Sequence, residues 1–519
     1  MKFLGIRNGH DCNISYSDGT KVRYIKFERN FQEKHFHWPP IPNYPDDMPY
    51  LLEKTRDILG IDYSDLDGIA MSADVGIHVI DRPIPRDETY IKLDKKLNTL
   101  WDQFSCPVYH IDHHFCHTLS CWPLVDITTV NTEFVLDGLG DYGRHTSFFK
   151  NKKLVEEIDR TQNLGLSVTM ERIGQAMGMQ GMILDIAGKL MALKAYHTMP
   201  DDVTDYIFSM FENTEFKDLN PFINACLETQ IKSNPELDDK TKLLNLAHLL
   251  HVWGEKKLPD YFAKFMNTAD EVVTYSGGTA QNTVVNTKLK ERFPNLIIPP
   301  HCPDDGLSLG CIELLRQLND QPLFDRSNFP YWQSDIAPDE LPSQETIDRT
   351  AEYLAQGKIV GWYQGHGEIG PRALGNRSIL MDPSIKLGKD VINAKVKRRE
   401  AYRPFGASVL LEDTSELFDC DYDSPYMLYV VKCKKQEEFP AIIHVDNTCR
   451  IQTVNQDPQN EVYHNLISTF KKRTGIPMLL NTSLNIDGKP IAGDPSDAHK
   501  LFEISDLDVV VVGNTIRLK

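Results

Sequence analysis

The apolar run at residues 3–6 breaks at the polar segment 7–11, so a buried strand ending in a turn is expected there. Residues 12–16 and 22–27 then flank Asp18-Gly19, a hairpin signal. The same order recurs further on. Residues 134–137 read as a strand, Gly138-Leu139-Gly140-Asp141 as a polar glycine turn, and 146–150 with 154–158 as a second hairpin. The pattern is that of an internal duplication of strand, acidic glycine turn and hairpin. In each copy the turn brings backbone N–H groups and a carboxylate to the end of a buried strand, which suits phosphate and a bound cation.

Helical periodicity dominates residues 170–265, with Leu243, Leu246, Ala247, Leu250 and Trp253 on one face as core packing. A short buried strand at 271–275 runs into Ser276-Gly277-Gly278-Thr279-Ala280-Gln281-Asn282, followed by a helix. At 323–344 proline, aromatic and acidic residues mix without periodicity, the signature of a linker. Ser343 then caps a helix through Ala355, Gly357 ends it, and a strand at 359–363 opens a second domain.

A chain of 519 residues exceeds one ordinary core and implies two or three domains of about 100–200 residues. Hydrophobic residues at 41% and charged residues at 25% describe a soluble composition. No apolar run reaches the roughly 20 residues of a membrane span, and Arg7, His10 and Asp11 interrupt any leader core. A cytoplasmic enzyme is expected. The net charge of −18 repels nucleic-acid phosphates. The ten cysteines are scattered without a C-x-x-C pair, which argues against zinc ribbons and thiol redox sites.

Three constellations carry candidate chemistry. His113 and His117, spaced i, i+4, face one way on a helix. With Asp137 at the end of the repeated strand and Asp304 before a small-residue helix, they form a mixed N/O set suited to iron, manganese or zinc; Asp141 and Asp305 are the alternative carboxylates. The paired glycines Gly277 and Gly278, with Asn282, suit close approach of a nucleotide, although a plain strand-to-helix turn fits equally. The third set is C-terminal: Arg372 and Arg377 in Gly370-Pro371-Arg372-Ala373-Leu374-Gly375-Asn376-Arg377-Ser378, then Lys397, Arg399, Arg403, Arg450, Ser483 and Asn485. A single arginine is usually a surface ion pair. Six basic residues in glycine, proline and asparagine turns describe a compact anion pocket.

The chain resembles the O-carbamoyltransferase family of the NodU and TobZ type. The most specific block is GWYQGHGEIGPRALGNRSILMDP at 361–383, supported by VKRREAYRPFGASVL, HVDNTCRIQTV and TGIPMLLNTSLN, and by GHD, HHFCH, DGLGD and SGGTAQN in order earlier. The resemblance implies an α/β chain. Residues 1–335 would form a duplicated actin-like (ASKHA) carbamoyl-transfer domain, similar to the tRNA threonylcarbamoyl-transferase subunit, with a helical insertion at about 165–267. Residues 345–519 would form a YrdC-like domain that makes carbamoyladenylate, with Lys397-x-Arg399 and Ser483-x-Asn485 as its signatures.

The implied substrates are ATP with Mg²⁺, carbamoyl phosphate and a small-molecule hydroxyl acceptor. One tightly bound divalent metal is implied, ferrous iron first, on His113, His117, Asp137 and Asp304. Arg372, Lys397, Arg399, Arg403 and Arg450 would stabilise anions; Ser483 and Asn485 would orient nucleotide. His10 would meet the acceptor as a base or a hydrogen-bonding group, with Lys34 beside it. No nucleic-acid or membrane partner is expected, and a homodimer is compatible. His366-Gly367 and the segment 188–197 depart from the family pattern, so acceptor choice does not transfer.

A tRNA-modifying threonylcarbamoyl enzyme would share both folds but conflicts with the charge of −18. A hydrogenase-maturation carbamoyltransferase would carry C-x-x-C zinc fingers and the opposite domain order. An actin-like binding module without activity would leave the C-terminal arginines unexplained.

Overall fold

A computed structural model describes residues 1–37, 48–73, 83–94, 101, 104–233 and 235–519. The chain is mixed α/β and divides into two compact units, Met1–Asp126 with Pro299–Lys519, and Ile127–Ile298.

The first unit holds two sheets. One contains β1 (Phe3–Asn8), β2 (Asn13–Ser17), β3 (Val22–Lys26), β4 (Gly68–Ala73), β5 (Tyr90–Lys92) and β6 (Val108–Ile111), in the order β3-β2-β1-β4-β6-β5. The hairpin β1-β2-β3 is antiparallel, and β1, β4 and β6 run parallel. Strand β1 runs through Arg7, where a turn was expected, because Arg7 is fully buried and paired with Asp304. An apolar pattern undercounts a strand that carries a buried charge.

The second unit repeats this connectivity. Strands β7 (Thr132–Leu136), β8 (Arg144–Lys150), β9 (Lys153–Asp159), β10 (Val273–Ser276) and β11 (Leu296–Ile297) lie in the order β11-β10-β7-β8-β9. Again an antiparallel hairpin is followed by parallel neighbours. The duplication read from the turns is therefore present in the strand order. Between β9 and β10 lie the helices Leu166–Ala176, Ile183–Leu193, Asp201–Met210, Leu219–Ser233 and Asp239–Ala263. On the last of these Leu246, Ala247, Leu250 and Trp253 are buried, as the periodicity predicts.

The remaining sheet of the first unit has eight strands: β12 (Val360–Tyr363), β13 (Arg377–Met381), β14 (Gly406–Leu410), β15 (Tyr429–Lys432), β16 (Thr448–Val454), β17 (Met478–Ser483), β18 (Val509–Val512) and β19 (Thr515–Leu518). Their order is β15-β16-β14-β17-β13-β12-β18-β19. Alternation splits its apolar residues. Val360, Trp362, Leu380, Val509 and Val511 pack with Ile347, Leu354, Leu466 and Phe470 of the helices Gln344–Ala355 and Glu461–Thr474. Tyr363, Ile379, Ala407, Ile451 and Val510 enter a second core with Phe405 and Phe418.

Ser343 does cap the helix through Ala355, and Gly357 follows it at φ +78°. The segment before it is no loose linker. It is aperiodic, but Phe324, Phe329, Tyr331 and Trp332 are buried, and Asp335 bonds Arg377 at 2.7 Å. Aromatic packing holds it without a repeating pattern. Among the described residues no helix is long and apolar enough to cross a membrane.

Candidate active site

In the first unit the helix His113–Leu119 starts at Asp112, whose side chain accepts the Phe115 N–H at 2.9 Å. The cap sets the helix direction, and the i, i+4 spacing aims both imidazoles at Asp304. His113 Nε2 and His117 Nε2 lie 3.5 and 3.3 Å from Asp304 Oδ1. Ligand bonds of about 2.0–2.2 Å in tetrahedral array would separate donors by about 3.4 Å, so the donor set fits a divalent metal. Asp305, the alternative carboxylate, is taken by Lys26 at 2.6 Å.

The other oxygen of Asp304 meets Arg7 Nη2 at 2.6 Å and His10 Nε2 at 3.3 Å. Burial alone would raise the Asp304 pKa, but Arg7, His113 and His10 together hold it well below the carboxylate range. Burial opposes charge on His10 too, yet Asp304 and a hydrogen bond to Asp11 push it up to about 9. His10 thus stands as a cationic donor between two carboxylates. Lys26 also reaches Glu28 at 3.0 Å and Asp11 at 3.4 Å, and Asp11 meets His35 at 2.9 Å. Burial, with repulsion from Asp11 and Glu28, pushes Asp305 up to about 6 against the pull of Lys26.

In the second unit Asp137 directly follows β7, and Asp141 opens the turn Asp141–Gly143. The Gly278 N–H donates to Asp137 Oδ1 at 2.6 Å. Gly277 has φ +95°, and a Cβ there would come within 2.2 Å of the Leu136 carbonyl, so only glycine lets β10 close on β7. Asn282 caps the helix Thr283–Arg292 through Val285 N–H. That cap is what the strand-to-helix reading requires.

The C-terminal set converges within the first unit. Registers place Gly406 opposite Arg450 and Asn481, and Ser378 opposite Ser483. Lys397, 3% exposed, donates to Ser483 O at 2.8 Å, Ser483 Oγ at 3.1 Å and Asn485 Oδ1 at 2.5 Å. Arg399 donates to Asn393 Oδ1 at 2.7 Å and lies over Phe405, while Arg403 bonds Asp487 at 2.8 Å. Arg372 and Arg450 are half-buried, and neither guanidinium has a hydrogen bond or ion pair among the described residues.

Burial lowers Lys397 well below its usual range, helped by the charges of Arg399, Arg403 and Lys34. Burial likewise depresses Arg450, with Arg372 and Arg399 adding repulsion, and brings Arg399 down to about 9. Basic groups that repel one another, two of them (Arg372 and Arg450) without a counter-charge, form a hole shaped for an anion. Among Arg399, Arg403 and Lys34, the charge of Lys34 lowers Lys397 least.

Arg377 is not part of that hole. It is buried, bonded to Asp335 and stacked on Tyr363 at 3.6 Å. Several other contributors escaped the sequence reading. Glu368 Oε1 accepts the N–H groups of Leu374, Asn376 and Arg377 at 2.8, 2.8 and 3.1 Å, so it shapes the Arg372 loop. Arg29 donates to the carbonyls of Glu368 and Gly370. Arg7 reads from the sequence as part of a turn and Lys26 as a charge inside an apolar strand, signals that name no partner.

A profile described as the carbamoyltransferase N-terminus matches residues 86–312, and one described as the carbamoyltransferase C-terminus matches 351–519. The nodulation protein NolNO of Sinorhizobium fredii is 29% identical over 97% of this chain and 78% of its own length. The nodulation protein NolO of Bradyrhizobium diazoefficiens is 40% identical over 46% of this chain and 47% of its own length. The 3'-hydroxymethylcephem-O-carbamoyltransferase of Amycolatopsis lactamdurans is 31% identical over 64% of this chain and 65% of its own length. Both profiles lie in order along one chain whose imidazole, carboxylate and arginine clusters fall within them, and the protein therefore belongs to the carbamoyltransferase family and is a carbamoyltransferase.

Proposed function

We propose that this enzyme is an ATP-dependent O-carbamoyltransferase that activates carbamate in its C-terminal part and delivers it to the hydroxyl of a small molecule. The unpartnered guanidinium pair of Arg372 and Arg450 beside Lys397, Arg399 and Arg403 carries the reading. Residues 345–519 serve as the YrdC-like, carbamoyladenylate-forming domain, and 1–335 as an actin-like transfer domain with helices at about 165–267 inserted. The repeated strand order supports the second assignment.

Carbamoyl phosphate takes up water and releases phosphate. An oxygen of the carbamate attacks the α-phosphorus of ATP, held with Mg²⁺. The bond to the β-phosphate breaks, giving carbamoyladenylate and pyrophosphate. Arg372, Arg399, Arg403 and Arg450 offset the charge that grows on the transferring phosphate, and Lys397 fixes Ser483 and Asn485 against the nucleotide. The acceptor hydroxyl then attacks the carbamoyl carbon. The bond to AMP breaks, and the hydroxyl proton passes to solvent. His10 and Lys34 orient the acceptor and carbamoyl oxygens, and Gly277, Gly278 and Asn282 let the nucleotide approach the backbone.

His113, His117 and Asp304 of the first unit are the residues we assign to one divalent metal, ferrous iron ahead of manganese or zinc. When bound it would supply Lewis-acid charge to the adenylate phosphate. The acceptor class follows the cephem relative: a natural-product-like alcohol.

Pyrophosphate release from ATP is the deciding measurement. It is expected only when carbamoyl phosphate is present, and candidate alcohols should gain the mass of one carbamoyl group. Release at background level would overturn the reading. Salt-sensitive retention of bulk tRNA on filters would favour the tRNA-modifying alternative instead.

A further inference from the structure

Asp304 uses its two oxygens differently. Oδ1 faces His113 and His117, at 3.5 and 3.3 Å, while Oδ2 is met by Arg7 at 2.6 Å and His10 at 3.3 Å. The Arg7 and Asp304 side chains are 0% and 2% exposed. A guanidinium this deep in a central strand is costly unless it is paired and hydrogen-bonded. Its strand neighbours explain how it is held. Arg7 pairs in register with Asn13 on β2 and Ser72 on β4, and its other arm donates to the Asn8 carbonyl at 3.3 Å. Asn13 in turn donates to the Asp304 backbone carbonyl at 2.9 Å and accepts the Ser308 N–H at 3.1 Å. The turn that carries Asp304 is thus held at its side chain by Arg7 and at its backbone by Asn13, both from one sheet.

We propose that Arg7 is a positioning residue for the metal set: it clamps Oδ2 of Asp304 so that Oδ1 is presented in one orientation to the ion shared with His113 and His117. The clamp acts through Asp304 and touches no reacting atom. A carboxylate free to rotate would lose one ligand oxygen in much of its ensemble, and outer partners of this kind set ligand orientation. Lysine at this position would keep the charge and lose the planar fork, so it would hold Asp304 less well.

The inference rests on the metal assignment above, and its test separates the two. Co²⁺ is titrated into the full-length chain, freed of metal by chelator, as wild type, Arg7→Lys, Arg7→Met and Asp304→Asn. Affinity is read by chelator competition, coordination by the visible absorption of bound Co²⁺, and folding by circular dichroism. Wild type is expected to bind one Co²⁺ that Asp304→Asn loses. Arg7→Met is expected to bind about 10- to 100-fold more weakly with a changed spectrum, and Arg7→Lys to recover part of both. If Arg7→Met does not fold, Arg7→Lys carries the comparison alone. A folded Arg7 variant with wild-type affinity and spectrum overturns the clamp. Equal Co²⁺ binding by wild type and Asp304→Asn overturns the metal assignment itself, and the clamp with it.

Discussion

Arg450 illustrates how a residue's surroundings reveal its task. Its guanidinium has no partner among the described residues and faces the charges of Arg372 and Arg399. In the ligand-free protein this is repulsion without compensation. Replacing Arg450 with Met should therefore leave the thermal midpoint of the ligand-free protein unchanged or higher. Carbamoyl-phosphate-dependent pyrophosphate release should fall by about 100- to 1,000-fold. A variant that melts lower and retains activity would place Arg450 among structural residues. Lys397 differs, because its three hydrogen bonds to Ser483 and Asn485 make it part of the frame. Lys397→Met should lose both activity and midpoint, read from the same two assays.

The loop GPRALGNRS belongs to the element scale. Its course depends on Glu368, which gathers three backbone N–H groups, and on Gly370, at φ +86°, whose Cβ would come within 2.3 Å of the Pro300 carbonyl. Gly370→Ala should destabilise the fold by about 1–3 kcal/mol, measured by denaturant melts, since both conformation and close approach are lost. Because Pro300 precedes the Asp304 turn, the variant should also disturb the histidine end of the same unit. Glu368→Gln keeps an acceptor but removes charge from those bonds. A loss of about 1–2 kcal/mol is expected, with a raised KM for carbamoyl phosphate as Arg372 loosens. The motif was legible as an arginine-bearing frame. The separate fates of Arg372, open to an anion, and Arg377, locked on Asp335 and Tyr363, were not, because flanking residues look alike until distant segments choose between them.

For the whole molecule, acid should act first through buried neutral histidines of the second unit. Burial lowers His145 to about 4 and His251 to about 3, and His251 donates from Nδ1 to the Ala247 carbonyl. In the unfolded chain such groups titrate near about 6.5. Below that value the unfolded state binds more protons than the folded one, so stability falls as pH falls toward 4 and is fully present above 7. The two histidines together should cost the full chain on the order of a few kcal/mol between pH about 7 and about 5, read by melts, with the raised carboxyls of Asp305 and Glu133 acting in the opposite sense. His251→Leu should flatten that dependence. An unchanged slope would show that other groups govern it.

The sequence by itself determined the α/β class, the duplicated strand-turn-hairpin pattern, the capped helix after Ser343 and the identity of the histidine and arginine clusters. These features are local: spacing, alternation, caps and turn residues act over a few positions. Tertiary structure decided which carboxylate of the Asp304-Asp305 pair meets the imidazoles, that Arg7 and Lys26 are buried counter-charges, and that residues 323–344 pack rather than swing. Each of these depends on which distant groups share a low-dielectric interior. That is a matter of contact between residues hundreds of positions apart, and no local pattern encodes it.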